Sequence, residues 1–454
     1  MIRFPFTSNR FSFSTILTPL AIGFLLGLLV LGLLSCSTEP SEPVPPEENG
    51  ISAPWSGEMQ WWRGNLHTHT LWSDGDHFPE QVARWYKENG YDFLTFSDHN
   101  IFQQGEQWVQ PEHNGHIQSA GGETLVQRYL EEFGEGWVEQ RVREDTLEVR
   151  LKPIHEYRHL FEEAGEFMMI QGQEITDRNV VHVNAHNTLY FIPPQGGDST
   201  QEIVQNNVDA VHQHHHETGQ MVFPHVNHPN FHYAITAEEL AAIDGLQFFE
   251  VFNGHRGVEN YGDENHVDLD KFWDIILTLR LGHFDMDVMY GLAVDDTHHY
   301  ENSQNETAMP GRGWVMVRAP YLTPESVITS MLGGEFYSTS GVELRNFGME
   351  DGAYVVEVEP EEGVDYTIEF IGTDREHDIS SDPVLDEDGE EMRATRTYKD
   401  EIGRVFQSSE GSTARYELTG EELYVRARVR STKLHPNPFQ EGDREVAWTQ
   451  PVAF

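Results

Sequence analysis

From Trp55 onward, short apolar runs alternate with amphipathic stretches of helical length, and this alternation constrains the fold more than any other feature of the chain. Strand-sized runs separated by helix-sized ones make βα units, which build a largely parallel sheet. Candidate strands are 59–66, 93–97, 167–175, 221–224, 246–251 and 289–294, and the helical stretches between them are 79–89, 155–164, 201–218, 237–243 and 268–281. A long insert over about 102–150, rich in Glu, Gln and Gly, has a length at which loops of compact domains are often lids or specificity elements. A further helix over 324–332 ends at Gly333-Gly334. After Tyr337 the pattern becomes alternating β segments and acidic turns, such as 353–358, 366–371 and 423–428. Residues 342–454 are therefore expected to form a small antiparallel β domain. A chain of 454 residues suits one domain of barrel size plus one smaller domain.

The polar residues at the strand ends carry the chemistry. Asn65-Leu66-His67-Thr68-His69-Thr70 follows the first strand, and residues two apart in an extended segment face one side, so His67 and His69 can meet on one ion. Ser73-Asp74-Gly75 adds a carboxylate within a turn. Ser97-Asp98-His99 ends the second strand, Gln173-Glu174-Ile175 the third, and His182 and His186 follow soon after. Pro224-His225-Val226-Asn227-His228 and Asp295-Asp296-Thr297-His298 end later strands. Any one such cluster is unremarkable, because surface or packing histidines account for it. Five successive strand ends that each deliver a His or a carboxylate to one rim point to a site. Neutral imidazole with carboxylate suits Zn, Mn or Fe. His225, His255 and Arg256 stand near these motifs as candidates for leaving-group protonation or phosphate clamping.

His-x-His-Thr with Ser-Asp-Gly, then Asp-His, Glu, His-Pro and a terminal Asp-x-His, resembles the PHP (polymerase and histidinol phosphatase) superfamily. The resemblance runs from about Gly64 to Gly341, and the Glu174-to-His182 spacing with Glu250–Gly254 is more similar to the carbaryl ester hydrolase-like branch. It implies a distorted (β/α)7, TIM-like barrel over 55–341 holding two or three divalent metal ions. Carried over by motif, His67, His69, Glu174 and Asp296 would hold one metal. Glu174 would bridge to a second held by His182 and His228, with His186 the alternative to His182. Asp74, His99 and His298 would hold the third, although Asp74 stands where some members have His. The activity implied is hydrolysis of small phosphate mono- or diesters by a metal-activated water. Hydrolysis of carboxylic esters or carbamates on the same metals is the alternative enzyme class, and a non-catalytic metal-binding module the alternative to an enzyme.

Charge and the N-terminus speak to milieu. The formal charge is −47, from 76 acidic against 29 basic residues, a sign that repels nucleic acid and anionic membrane surfaces. A small-molecule ester is the expected partner, and sequence is silent on oligomeric state. The single cysteine, Cys36, excludes an intrachain disulfide and a cysteine-based metal site. Arg3 and Arg10 precede an apolar run over 16–34, which closes with Leu33-Leu34-Ser35-Cys36. A charged start, an apolar centre and a small residue at the cut describe an export signal, and the ending resembles a bacterial lipobox. The expected organisation is a signal peptide over 1–35, lipidation of Cys36, and a flexible acidic, Pro-rich linker over 36–54. The protein would then face the periplasm or cell exterior and touch the membrane through its lipid only. Cys36→Ser is expected to accumulate as unlipidated precursor or to release soluble protein, read by mass spectrometry of the membrane fraction. A variant that still carries covalent lipid rules the lipobox out.

Overall fold

The computed structural model describes residues 57–111, 124–300 and 306–454; the expected signal peptide, Cys36, the linker and residues 112–123 of the insert lie outside them. Seven strands carry the residues singled out above. They are β1 (Gln60–Asn65), β2 (Phe93–Phe96), β3 (Met168–Thr176), β4 (His182–His186), β5 (Phe223–Val226), β6 (Phe248–Asn253) and β7 (Tyr290–Val294). The chain is a mixed α/β fold with one large sheet and several small ones, and in the large sheet the order β7-β6-β5-β4-β3-β2-β1 continues into β8 (Trp314–Ala319) and β9 (Phe336–Thr339). β1, β2 and β3 pair in parallel, as do β5, β6 and β7. The largely parallel expectation fails at β4, which runs antiparallel to both β3 and β5. Only five residues separate Thr176 from His182, too few for a helical crossover, so the chain turns back as a hairpin. A parallel bridge between Thr68 and Thr297 brings the end of β7 back beside the end of β1. On β9, the Ser338 hydroxyl donates to Gly291 O and accepts from Ala293 N, which occupies backbone groups of β7.

Helices α1 (Pro79–Glu88), α3 (Thr200–Thr218), α4 (Ala237–Ala241), α5 (Leu269–Leu279) and α6 (Pro324–Leu332) follow the strand-sized runs, with α2 (Leu125–Phe133) inside the insert. Ser199 caps α3 through Glu202 N, and Asp268 caps α5 through Lys271 N. The main apolar core lies between α3, α4, α5 and the strands β4 to β7, with Val208, Val226, Phe249, Phe272 and Trp273 fully buried. No helix among the described residues is long and apolar enough to cross a membrane. The stretch at 155–164, expected as a helix, holds only the short turn Ile154–Tyr157 followed by a 3₁₀ turn.

The insert is not a bare loop. Gln107–Val109, Thr146–Leu151 and Gln140–Arg143 form a three-stranded sheet. Its Tyr129, Val138, Val149 and Leu151 pack with Leu71, Trp72 and Phe78, which flank the Ser73–Gly75 loop. Beyond β9 the antiparallel segments join the large sheet through β10 (Tyr366–Asp374), β11 (Arg404–Glu410), β12 (Glu422–Leu434) and β13 (Arg444–Thr449), in the order β9-β13-β12-β10-β11. The C-terminal strands are thus hydrogen-bonded to the preceding sheet, with Tyr337 opposite Thr449 and Thr339 opposite Ala447.

One buried carboxylate ties the insert to α1. Glu80 is fully buried, and its Oε1 accepts from Tyr129 Oη at 2.7 Å and Trp137 Nε1 at 3.0 Å. Burial raises its pKa to about 7, with those hydrogen bonds and Lys152 opposing. A carboxyl whose folded pKa lies above its unfolded value stabilises below the latter and loses that contribution as pH rises through the former. Stability is therefore expected to fall by about 3 kcal/mol between pH 4.5 and just above pH 7 on account of Glu80 alone. Glu80→Gln keeps the acceptor and removes the titration. Urea unfolding should find it equal to wild type at pH 4.5 and more stable at pH 8, whereas identical pH profiles would exclude this role.

Candidate metal centre

Strand direction decides which residues reach the rim. β1, β2, β3, β5 and β7 all deliver residues from their carboxyl ends: His67 and His69, His99, Glu174, His228, and Asp296 with His298. β4 runs the other way, so its first residue, His182, comes to that rim. His186, four residues along the same strand and about 13 Å further down, goes to the floor. The register shows it, with His182 opposite Thr176 and His186 opposite Gly172.

Four nitrogen and oxygen atoms gather around one point. His67 Nε2 lies 3.2 Å from Glu174 Oε2 and 3.3 Å from Asp296 Oδ1, and His69 Nε2 lies 3.2 Å from each of the same two oxygens. Atoms about 2.1 Å from a shared ion, at octahedral to tetrahedral angles, are separated by about 3.0–3.4 Å. All four residues are buried, yet His69 Nε2 makes no hydrogen bond of proper geometry with either carboxylate. Lone pairs aimed at a common centre produce that combination, so the set fits a divalent cation.

The other carboxylate oxygen of Glu174 faces a second group. Its Oε1 is 2.7 Å from His182 Nδ1 and 3.8 Å from His228 Nε2. A third gathers on Asp74, whose carboxylate lies 3.4 Å from His298 Nε2, 3.6 Å from His99 Nε2 and 3.6 Å from His69 Nδ1. His99 links the Asp74 group to Glu174, because its Nδ1 is 3.0 Å from Glu174 Oε2, the oxygen that also faces His67 and His69. The nine residues proposed as ligands thus stand at one rim, and all but His228, 3.8 Å from Glu174 Oε1, fall in groups of His, Asp and Glu able to hold a metal ion.

The local chain is shaped for this. A Cβ on Gly75 would sit 2.6 Å from the carbonyl carbon of His69, so only glycine lets the Asp74 loop lie against the His-x-His segment. Asp98 is not a ligand; its carboxylate accepts from Thr70 N and Ser73 Oγ and pins that loop. Asp296 holds a left-handed backbone, φ 50°, a conformation that costs energy outside glycine and persists where the surroundings enforce it. Asn253 donates to its Oδ2 at 3.1 Å.

Sequence reasoning passed over Glu250, which lies beneath the rim in β6. Fully buried, it accepts from His67 Nδ1 at 2.6 Å, His225 Nε2 at 3.0 Å, His228 N at 2.8 Å and Asn253 Nδ2 at 2.8 Å. The bond to Nδ1 fixes the His67 tautomer and leaves its Nε2 lone pair for the cation. Its sequence signals were a carboxylate among the apolar residues of 248–252 and its place in the Glu250–Gly254 segment of the resemblance, neither of which assigned it a role. His225 is held in this floor layer, with its other nitrogen 2.8 Å from His186 Nε2, so it is not placed to protonate a leaving group at the rim. Arg256 is not placed to clamp phosphate either. Its guanidinium donates to Phe439 O and Pro438 O, which turns the fork toward the C-terminal segment.

Burial alone would neutralise these groups, but the facing charges reverse it for most of them. His67 is raised by Asp296, Glu250 and Glu174, and His69 to about 10 by Asp296, Glu174 and Asp74. Glu174, Asp296 and Asp74 are all held low by the histidines around them. Burial prevails at His99 and His255, both lowered to about 4. The centre is a buried concentration of negative charge that protons or metal ions must balance.

Above it opens a cavity of about 300 Å³ lined by Asp74, His99, His182, His228, Asp296 and His298, with Phe231, His255, His299 and Thr307 completing the wall. Among the described residues no Arg or Lys lines it. No protein-family model matches the chain, and no curated protein does. A solved structure, a two-domain protein from Bacteroides vulgatus containing a predicted PHP-like metal-dependent phosphoesterase, aligns over 88% of this chain and 96% of that one. At 12% identity and a TM-score of 0.36 the likeness is too distant to assign a function.

Glu250→Gln is expected to fold and to lower metal affinity by about 10- to 100-fold, as loss of a ligand-orienting carboxylate does. Competition with a fluorescent chelator measures it, and unchanged affinity would remove Glu250 from the centre.

Proposed function

We propose that the chain is an exported, lipid-anchored, metal-dependent phosphoesterase of the PHP type, similar to the carbaryl ester hydrolase-like branch. In this reading β1 to β7, returned to β1 at the Thr68–Thr297 bridge, are the distorted (β/α)7 barrel, and the strands after β9 are the C-terminal β domain. The observation that carries the reading is the shared carboxylate of Glu174. One oxygen joins the four-atom set with His67, His69 and Asp296, while the other meets His182. Two ions bound there, or three with the Asp74 group, drawn from Zn, Mn or Fe, would supply Lewis acidity to a phosphoryl group and make a water acidic enough to attack it.

The chain's own residues do the rest. Glu174 holds both sets at a fixed separation, and Asn227 fixes its Oε1 by donating at 2.9 Å. His255 is neutral at pH 7, and its Nδ1 accepts from Gly257 N at 3.0 Å, which puts the ring proton on Nε2. From the cavity wall it can donate that hydrogen bond to a substrate oxygen. Phe231 supplies an apolar wall for the alcohol part of an ester. Hydrolysis forms a bond from the water oxygen to phosphorus and breaks the bond to the alcohol, which leaves with a proton. No nucleophilic Ser or Cys is required.

A second reading has one observation in its favour. A cavity that no Arg or Lys lines among the described residues also suits an uncharged carboxylic ester or carbamate. Phosphate monoesters, diesters, carboxylic esters and carbamates assayed with Mn, Zn and Fe separate the classes. Glu174→Gln is expected to cut turnover of the best substrate at least about a hundredfold and to lower metal content, because it removes a charge shared by two ions. Near-normal turnover with both metals retained would refute the bridged centre, and metal binding without hydrolysis of any ester would favour a binding module.

A further inference from the structure

A second cavity, of about 190 Å³, lies where β6 and the 260–270 segment face β12, β13 and the 435–443 loop. Its apolar wall is aromatic. The Phe252 and Trp448 rings are stacked at 5.7 Å and 27°, and Phe439 meets Phe252 edge-on. The polar wall holds Arg312, only 1% exposed. Its guanidinium donates to the carbonyls of Gly254, Thr307 and Glu306 and to Asn437 Oδ1, which uses its four terminal N–H groups. Among the described residues it has no carboxylate in ion-pair range, and its Nε–H has no acceptor. His435 repeats the pattern. Its Nδ1 accepts from Asn437 N, so the proton sits on Nε2, with only the Ser340 carbonyl near it and outside bonding geometry.

The acids in this cavity are already engaged. Asp270 pairs with Arg426 and Arg428, Asp443 accepts from Tyr261 Oη and Gln440 N, and Asp268 caps α5. Exposed Arg430 and Arg444 at the margin are lightly held, one 3.6 Å from Glu369 and the other on Thr432 O. The unused hydrogen-bonding capacity is therefore donor capacity, beside a buried cation that Asp295 and Glu306 offset only from beyond ion-pair distance among the described residues. A buried cation without a partner is costly, and an anion relieves it. An aromatic wall facing polar donors is the usual make-up of a small-ligand site.

We propose that this cavity is a second ligand site, for a small organic anion that carries a carboxylate or phosphate head on a flat apolar body. The head meets Arg312 and His435 while the body lies against Phe252 and Trp448. The wall also leads to the metal centre. Asn260 exchanges two hydrogen bonds with the backbone of Asn253, whose side chain reaches Glu250 and Asp296. Occupancy of the cavity then adjusts metal affinity, and metals adjust occupancy in return. That coupling rests on the metal-centre reading, whereas the binding itself does not.

Calorimetry on the full chain tests it, with benzoate and phenylphosphonate as probes and benzyl alcohol as the uncharged control. Both anions are expected to bind saturably and the alcohol at least about tenfold more weakly, the scale of a charge-assisted hydrogen bond. Arg312→Gln is expected to weaken both anions about tenfold. Should that variant not fold, the exposed double variant Arg430→Gln/Arg444→Gln is measured instead, with a loss of about threefold expected. EDTA should leave anion binding in place, which separates this site from the metal centre. Absence of saturable binding, equal binding of the alcohol, affinities unmoved by the variants, or binding abolished by EDTA in folded protein each overturns the proposal.

Discussion

Glu174 is the constraint from which the rest of the site follows. A carboxylate buried this deeply is tolerable only when positive charge reaches it from several sides. Here His67 with His69, His99 and His182 converge on its two oxygens from three separate chain segments. Each of those segments must end its strand at the same height, which ties the lengths of β1, β2 and β3 and the hairpin into β4 to one another. Glu250 repeats the arrangement one layer lower. Its four donors leave no oxygen unsatisfied, and it passes rigidity from β5 and β6 up to the rim.

The C-terminal strands are bound to this framework by a different kind of contact. Arg426 is fully buried, donates to both oxygens of Asp274, lies 3.1 Å from Asp270, and sits 4.7 Å above the Trp273 ring. Tyr424 adds a bond to Asp274 at 2.9 Å. Removing one member would strand buried charge, so β12 and α5 stand or fall together. The second cavity lies beside this junction, lined by Asp270 from one side and Arg428 from the other.

The parts of the fold that were legible in sequence are those with one task. Strands β2, β6 and β7 and helices α1, α3 and α5 follow hydrophobic pattern closely, because most of their side chains serve packing, with Glu80, Glu250 and Asp274 as buried exceptions and Asp270 as a half-buried one. β4 was missed since His182, Asn184 and His186 face the site while Val183 and Ala185 face the core, which inverts the usual sense of alternation over five residues. The sheet of the insert was hidden because its strands are short and Gln140–Arg143 has only one apolar residue, the exposed Val142. Ligand residue types were readable from motifs. The choice of His182 over His186 was not, since it depends on strand direction. Nor were the inward placement of His225 and the outward turn of Arg256 readable, because the partners responsible lie far away in sequence.

The hairpin between β3 and β4 also orders events in time. Glu174 and His182 belong to one local unit that can form as soon as its own residues are present. The four-atom set spans His67 to Asp296 and cannot be complete until β7 has docked beside β1. A partly folded chain would therefore present an open, partial coordination shell before a closed one. An ion held by the hairpin alone would remain exchangeable until β7 docks and completes the set. A centre completed only by β7 would take its metal from the ions present where folding finishes, and would release it no faster than β7 undocks.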